Sequence, residues 1–120
     1  MRKLENHWIQ KADFSATDYG AADQDAVLAL FREHPWGDEL QELEEREADG
    51  EEVCPPGLGL NAADRDILHI CAIGADEWMV HHQSSDPSKQ DEVETHEGVT
   101  AGQVEHMIGQ FFRSETLRPA

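Results

Sequence analysis

The stretch Asp66–Gln83, DILHICAIGADEWMVHHQ, holds two apolar runs on either side of Gly74-Ala75-Asp76. Two such runs joined by a short segment with Gly and Asp predict a hairpin of antiparallel strands. In the first run every other side chain is apolar on one side (Leu68, Ile70, Ala72), and the opposite side is also largely apolar (Ile67, His69, Cys71, Ile73). That pattern favours a central strand covered on both faces.

Two further segments extend this hairpin into a sheet. Gly57–Asn61 follows the chain-breaking sequence Cys54-Pro55-Pro56 and, with Asp66–Ile73 and Glu77–Gln83, predicts an antiparallel meander. Residues 5–14 place Trp8, Ile9 and Phe14 among polar residues and indicate an edge strand, whereas the polar stretch 15–23 reads as a turn with a bend at Gly20. We therefore expect a small antiparallel sheet of three to four strands.

Two segments have helical periodicity. In Ala22–His34 the apolar residues Val27, Leu30 and Phe31 fall at i, i+3 and i+4, and Pro35 ends the pattern. In Thr100–Arg113 an apolar stripe follows a capping box of Thr100 and Gln103 and a hydrophobic staple of Val99 and Val104; the stripe is Val104, Met107, Ile108, Phe111 and Phe112. This C-terminal amphipathic helix is expected to pack on the sheet.

These elements predict an α+β fold in which two or three helices cover a small sheet. The chain has 120 residues, a common length for one domain, so residues 1–120 are expected to form a single domain. The polar stretch 84–98 contains five acids and one proline and predicts a mobile surface loop. The acidic stretch 38–52 is expected to be a second mobile surface segment.

Charge is the strongest indication of partners. The chain has 26 acidic and nine basic residues, a net charge of −17, and residues 38–52, DELQELEEREADGEE, alone contain nine acids and one base. A short surface helix over 39–48 fits this run, with Asp38 as N-cap, Gly50 as the C-terminal stop and a Glu42–Arg46 pair one turn apart; the alternative is an extended segment.

Such charge density favours a basic protein as partner and argues against nucleic acid and anionic membrane. The predicted partner-binding residues are Trp36, Asp38, Glu39, Glu42, Glu44, Glu45, Glu47, Asp49, Glu51 and Glu52. Trp36 either serves as an aromatic anchor for the partner or pins the segment to the core. The alternative function is an accessory or structural domain whose acidity serves only solubility, as in halophilic proteins.

The sequence contains few groups of residues that could bind a metal or catalyse a reaction. His69 and Cys71 share one face of the central strand and can meet His81 or His82 across the hairpin, which is the basis for a second alternative, a small metal-binding protein. The interpretation we favour is a core histidine beside a buried thiol, with no metal and no cofactor. No nucleophile, phosphate-loop or calcium motif is present in the sequence, so an enzyme is not expected.

The cellular location of the protein is inferred from its cysteines and from its hydropathy. Cys54 and Cys71 stand apart, and two unpaired thiols are favoured over a single bridge. The N-terminal segment MRKLENHWIQKADF lacks the apolar run of a signal peptide, and no apolar run is long enough to span a bilayer. We therefore expect a cytoplasmic protein.

The C-terminal segment Val99–Pro119, VTAGQVEHMIGQFFRSETLRP, resembles the ending of small immunity proteins of bacterial toxin systems. In that ending a capped helix closes with a pair of aromatics, a short polar turn and an Arg-Pro. The order of helix, acidic segment, hairpin, polar loop and final helix is also similar. The resemblance implies binding and neutralisation of a cognate toxin, and such proteins are often acidic where the toxin is a basic nuclease.

Overall fold

The computed structural model describes residues 1–86, 88 and 93–119. Along the described chain six strands and three helices follow in the order β1 Leu4–Gln10, β2 Ala16–Gly20, α1 Gln24–Glu33, α2 Trp36–Ala48, β3 Gly57–Ala62, β4 Ile67–Gly74, β5 Glu77–Gln83, β6 Val93–Val99 and α3 Ala101–Phe112. The α+β class is confirmed, but the expected count of three to four strands is too low.

The strands form one antiparallel sheet in the order β2-β1-β3-β4-β5-β6. The predicted meander is present as β3, β4 and β5. The N-terminal strand was expected at an edge, and this is wrong because β1 lies between β3 and β2. Residues 16–20 of the expected turn form β2, an edge strand whose side chains are mostly exposed, so its sequence carries no alternation of apolar and polar residues.

The predicted loop 84–98 is also wrong in part, because residues 93–98 belong to β6. This second edge strand has only two less exposed positions, the half-buried His96 and the buried Val99. Its exposed side carries polar and acidic residues, which is why the sequence resembles a loop. Residues 87 and 89–92 of that stretch lie outside the described residues, and nothing tests the expected mobility.

The hydrophobic core lies on one face of the sheet. Leu68, Ile70 and Ala72 of β4 are fully buried and belong to one cluster with side chains from α1, α2 and α3. On the opposite face Ile67 and His69 are only half-buried. The expectation of a central strand covered on both faces is therefore wrong: the helices leave one face of the sheet open.

Two of the helices begin with a side-chain cap. The Asp23 side chain accepts a hydrogen bond from Ala26 N at 2.9 Å and caps α1. At α3, Gln103 N donates to Thr100 Oγ1 (3.2 Å) and Thr100 N donates to Gln103 Oε1 (2.8 Å), which confirms the capping box. Within the described chain no helix is both long enough and apolar enough to cross a bilayer.

The acidic run forms a helix and not an extended segment. Helix α2 begins at Trp36, so Asp38 lies in its first turn, and the prediction of Asp38 as N-cap is wrong; Pro35 occupies that position without a side-chain bond. The C-terminal stop is confirmed. Gly50 has φ +79, Gly50 N donates to Glu47 O, and Glu51 N donates to Arg46 O, which is a Schellman motif.

Helix α3 ends in the same motif with a less suitable residue. Ser114 N donates to Phe111 O, Glu115 N donates to Gln110 O, and Ser114 has φ +56. A side chain disfavours this left-handed conformation. We expect Ser114→Gly to raise the free energy of unfolding by about 0.5–1 kcal/mol in urea titrations. Gly50→Ala at the matching position of α2 should lower it by a similar amount; a loss of stability in Ser114→Gly would contradict the argument.

Candidate functional site

The outer side of α2 and the turn after it carry a dense group of carboxylates, here called the acidic surface. Its members are the exposed residues Asp38, Glu44, Glu45, Glu47, Asp49, Glu51 and Glu52. Leu40, on the inner side of the same helix, packs against the core. The acidic run therefore forms a helical surface anchored to the domain, not a detached tail.

Two residues predicted to bind the partner lie inside the protein. Trp36 is 9% exposed, its Nε1 donates to Phe31 O at 2.8 Å, and its ring meets Trp78 edge-on at 5.1 Å. Glu39 is 7% exposed. Since residues three and four apart share one side of a helix, Trp36, Glu39 and Leu40 all turn inward together. Trp36 thus anchors α2 to the core, and neither Trp36 nor Glu39 belongs to the acidic surface.

Glu39 faces a second buried titratable group. Its Oε2 lies 3.8 Å from His34 Nε2, and neither atom has a hydrogen-bond partner among the described residues. Burial lowers the pKa of His34, against the opposing effect of the Glu39 charge. The ring of His34 also lies 4.4 Å from that of Trp36. Through these contacts His34 packs against Trp36 and Glu39 in the first turn of α2.

Arg46 is the base that partly neutralises the acidic run. Its guanidinium contacts Glu42 and Glu51 at 3.2 Å each and Asp13 of the β1–β2 hairpin at 4.0 Å. The predicted Glu42–Arg46 pair is confirmed, and the helix end is tied to the sheet. In the described part of the chain no Lys, Arg or His lies within ion-pair distance of Glu44, Glu45, Glu47, Asp49 or Glu52. These five carboxylates remain available to a cation from outside.

The open face of the sheet carries a row of aligned rings. Trp8, Gly59, His69, His81 and Thr95 are successive cross-strand partners from β1 to β6. Trp8 and His69 stack with centroids 6.3 Å apart, and so do His69 and His81. Beside this row lies a shallow pocket of about 330 Å³.

The predicted His–Cys cluster lies on this face. Cys71 Sγ is 3.7 Å from His69 Nδ1, whereas His82 points to the helix side and contacts Phe111. Burial, with a contribution from Cys54, raises the pKa of Cys71 to about 11, and burial together with His81 lowers the pKa of His69. A thiol that stays protonated is a poor nucleophile.

Metal ligation finds no further support in the geometry. Among the described residues, no three or more His, Cys, Asp and Glu side chains are arranged to hold a metal ion. Cys54 and Cys71 are both free thiols, as the sequence favoured, and Cys54 Sγ donates to Lys11 O at 3.2 Å.

His82 and Asp66 form a histidine–carboxylate pair that the sequence did not reveal, close to residues 114–117. Asp66 Oδ2 accepts from His82 Nε2 at 3.2 Å and from Arg2 Nη2 at 3.1 Å, and Asp66 Oδ1 accepts from Ser85 N at 2.8 Å. The other ring nitrogen of His82 faces Glu94 at 3.9 Å. Both nitrogens face carboxylates, so the ring is not positioned to activate a hydroxyl nucleophile.

Comparison with known proteins gives no further indication of function. No family model, no curated protein and no solved structure matches this chain. The acidic surface therefore remains the feature from which a function can be argued.

Gly59 provides a test of the ring row. A methyl group on Gly59 would lie 2.0–2.2 Å from three carbons of the Trp8 indole, so Trp8 rests directly on the backbone of β3. We expect Gly59→Ala to lower the free energy of unfolding by about 1–3 kcal/mol through overpacking. The same substitution in a Trp8→Ala background should cost nothing, because alanine suits a strand better than glycine. Urea unfolding of the four proteins measures the coupling; an equal loss in both backgrounds would contradict the contact.

Proposed function

We propose that this chain is a non-enzymatic protein-binding module whose acidic surface contacts a basic protein. The observation that carries the proposal is the cluster of seven exposed carboxylates on α2 and the turn after it, of which only Glu51 has a basic partner among the described residues. Solubility requires excess charge, but it does not require that charge to be gathered on one anchored helix. A cationic surface of complementary shape is the partner that this arrangement favours.

The physical advantage of such a surface lies mainly in the rate of association. Opposite charges steer the two proteins together and align them before close contact forms, which raises the association rate constant more than the affinity. The same field repels nucleic acid phosphates and anionic lipid headgroups. Binding of this kind weakens as salt screens the charges, over a Debye length of about 8 Å at physiological ionic strength.

The specific form that we propose is an immunity protein that neutralises a basic toxin in the cytoplasm. It rests on the resemblance of Val99–Pro119 to the ending of such proteins, and on the charge, which suits a basic nuclease. In that role the acidic surface occupies the cationic cleft in which the toxin would hold its own phosphate substrate. The two free thiols suit a reducing compartment.

The test compares two variants of equal charge. The first replaces Glu44, Glu47 and Glu52 with Lys, and the matched control replaces Glu5, Glu33 and Glu97, which are also exposed. Each triple variant changes the formal charge from −17 to −11, since every reversal adds two. The tagged proteins are used for capture from native lysate at low salt and eluted at high salt, and the dissociation constant of the eluted protein is then measured.

The expected result is a basic protein that the wild type and the control bind with similar affinity. For the acidic-surface variant the dissociation constant should rise by about tenfold or more, because three favourable charge contacts become repulsive. Equal losses in both variants would show that only net charge matters. If no basic protein is held at low salt and the variants differ only in solubility, the accessory role replaces the proposed one.

A further inference from the structure

We propose that the groove between α2 and the β4–β5 turn receives a lysine or arginine side chain of the basic partner. This inference rests on the proposed function and names the point of closest contact. The groove has a volume of about 460 Å³ and runs along one side of α2, opposite the turn residues Gly74 and Ala75. It lies beside the acidic surface and shares Glu44 and Glu47 with it.

The floor of the groove is apolar. Leu40 and Leu43 of α2 are half-buried there, and Ile73 at the end of β4 remains 39% exposed. Ile73 is one of few large apolar side chains that the described chain exposes to this degree. An uncovered apolar floor favours an occupant with a hydrocarbon part.

The rim of the groove is acidic along α2. Glu44 and Glu47 stand on α2, and neither has a basic partner within the described chain. Among the residues that the structure describes, no lysine or arginine lines the groove. A second copy of this chain would bring like charges to this rim and is disfavoured.

Lysine and arginine combine the two properties that the groove requires. Their methylene stems cover apolar surface while the charged head stays in contact with water or with carboxylates. A stem lying on Leu43 and Ile73 places its cationic head beside Glu44 and Glu47. A purely apolar side chain would leave these carboxylates without a partner, and a purely polar one would leave the floor exposed.

The probe for this test is a hexalysine peptide, titrated into isotope-labelled protein and followed by NMR. We expect the largest shifts at Ile73, Gly74, Ala75 and the methyl groups of Leu40 and Leu43. Shifts spread over Glu45, Asp49 and Glu52, with the Ile73 methyl unmoved, would overturn the inference. A hexaglutamate peptide serves as the control and should cause no shifts in the groove.

Variants of matched charge separate the groove from diffuse attraction. Glu44→Gln with Glu47→Gln is expected to weaken hexalysine binding about fivefold, and Glu45→Gln with Glu52→Gln less than twofold, because only the first pair lines the groove. Ile73→Ser should also weaken binding, whereas Val93→Ser, a change at a similarly exposed site on β6, should not. Equal effects of the two glutamine pairs would overturn the groove.

The two proposals can fail separately. If the basic protein from lysate is bound equally well by Glu44→Gln/Glu47→Gln and by Glu45→Gln/Glu52→Gln, the acidic surface acts as a whole and the groove proposal is wrong. If hexalysine binds in the groove but native lysate yields no basic protein, the groove chemistry stands and the proposed function is wrong.

Discussion

Replacing Phe111 with alanine is expected to lower the free energy of unfolding by about 3–5 kcal/mol, the range for truncating a buried aromatic residue. Phe111 is 1% exposed and lies in the core between α3 and the sheet. Its ring meets Phe112 and His82 edge-on, and the guanidinium of Arg2 lies 4.4 Å from its centroid. The substitution removes all of these contacts and leaves a cavity that a six-stranded sheet cannot easily close.

The matched control is Phe14→Ala, the same chemical change at a site that is 54% exposed. We expect its effect to stay within about 0.5 kcal/mol, as for most surface substitutions. Phe111→Leu should fall between the two because it keeps most of the volume but loses the ring contacts. Urea unfolding at constant m-value measures all three, and similar losses for Phe111→Ala and Phe14→Ala would show that the core is not centred on α3.

The same helix shows what the sequence makes predictable. Its start, its capping box and the buried stripe that contains Phe111 follow from interactions between residues at most eight positions apart. Helix α1 and the β4–β5 hairpin are equally local and were also predicted. Periodicity and turn chemistry report such features directly, because they depend on neighbours along the chain.

The missed strands depend on distant partners. β2 and β6 are edge strands, and their polar exposed sides give no alternation to detect. The pairing of β1 with β3 brings Trp8 onto Gly59 across two helices of intervening sequence. The stacking of Trp8, His69 and His81 on the open face depends on that strand register. Sequence patterns within one strand do not contain the register, so they could not predict the stacking.

The acidic site was predicted in composition but not in detail. The charge run marked the correct helix, yet Glu39 was predicted to face the partner, and for Trp36 the sequence left open whether it binds the partner or packs on the core. Helix α2 begins at Trp36, three residues before the predicted helix, and helical spacing then places Trp36 on the same inner side as Glu39 and Leu40. The groove was beyond sequence reasoning because its second wall, Ile73 to Ala75, comes from a different part of the chain.

Replacing Asp66 with alanine is expected to lower the free energy of unfolding by about 3 kcal/mol, the lower end of the range for breaking a buried ion pair. Asp66 is 7% exposed and accepts hydrogen bonds from Arg2, His82 and Ser85. Its loss leaves the donors of His82 and Ser85 without this acceptor, whereas Arg2 keeps a contact with Asp64 at 3.2 Å.

Two further substitutions at this site sharpen the test of Asp66. Asp66→Asn keeps the shape but turns an amide N–H toward Arg2 and His82, so we expect almost the same loss. Glu94→Ala removes the other carboxylate near His82. Because the Glu94 side chain is 56% exposed, this change should lower the free energy of unfolding by at most about 1 kcal/mol.

The effect of Asp66 should also depend on pH in a defined direction. Burial alone would raise the pKa of Asp66, but hydrogen bonds from Ser85 and His82 and the charge of Arg2 outweigh it and hold the pKa below 3.8. A carboxyl whose pKa is lowered in the folded state stabilises the protein above its unfolded pKa and loses that contribution as pH falls through the folded pKa. The difference in stability between wild type and Asp66→Ala should therefore shrink as pH falls below about 4. A difference that stayed unchanged down to pH 2 would show that Asp66 acts by filling space and not by its charge.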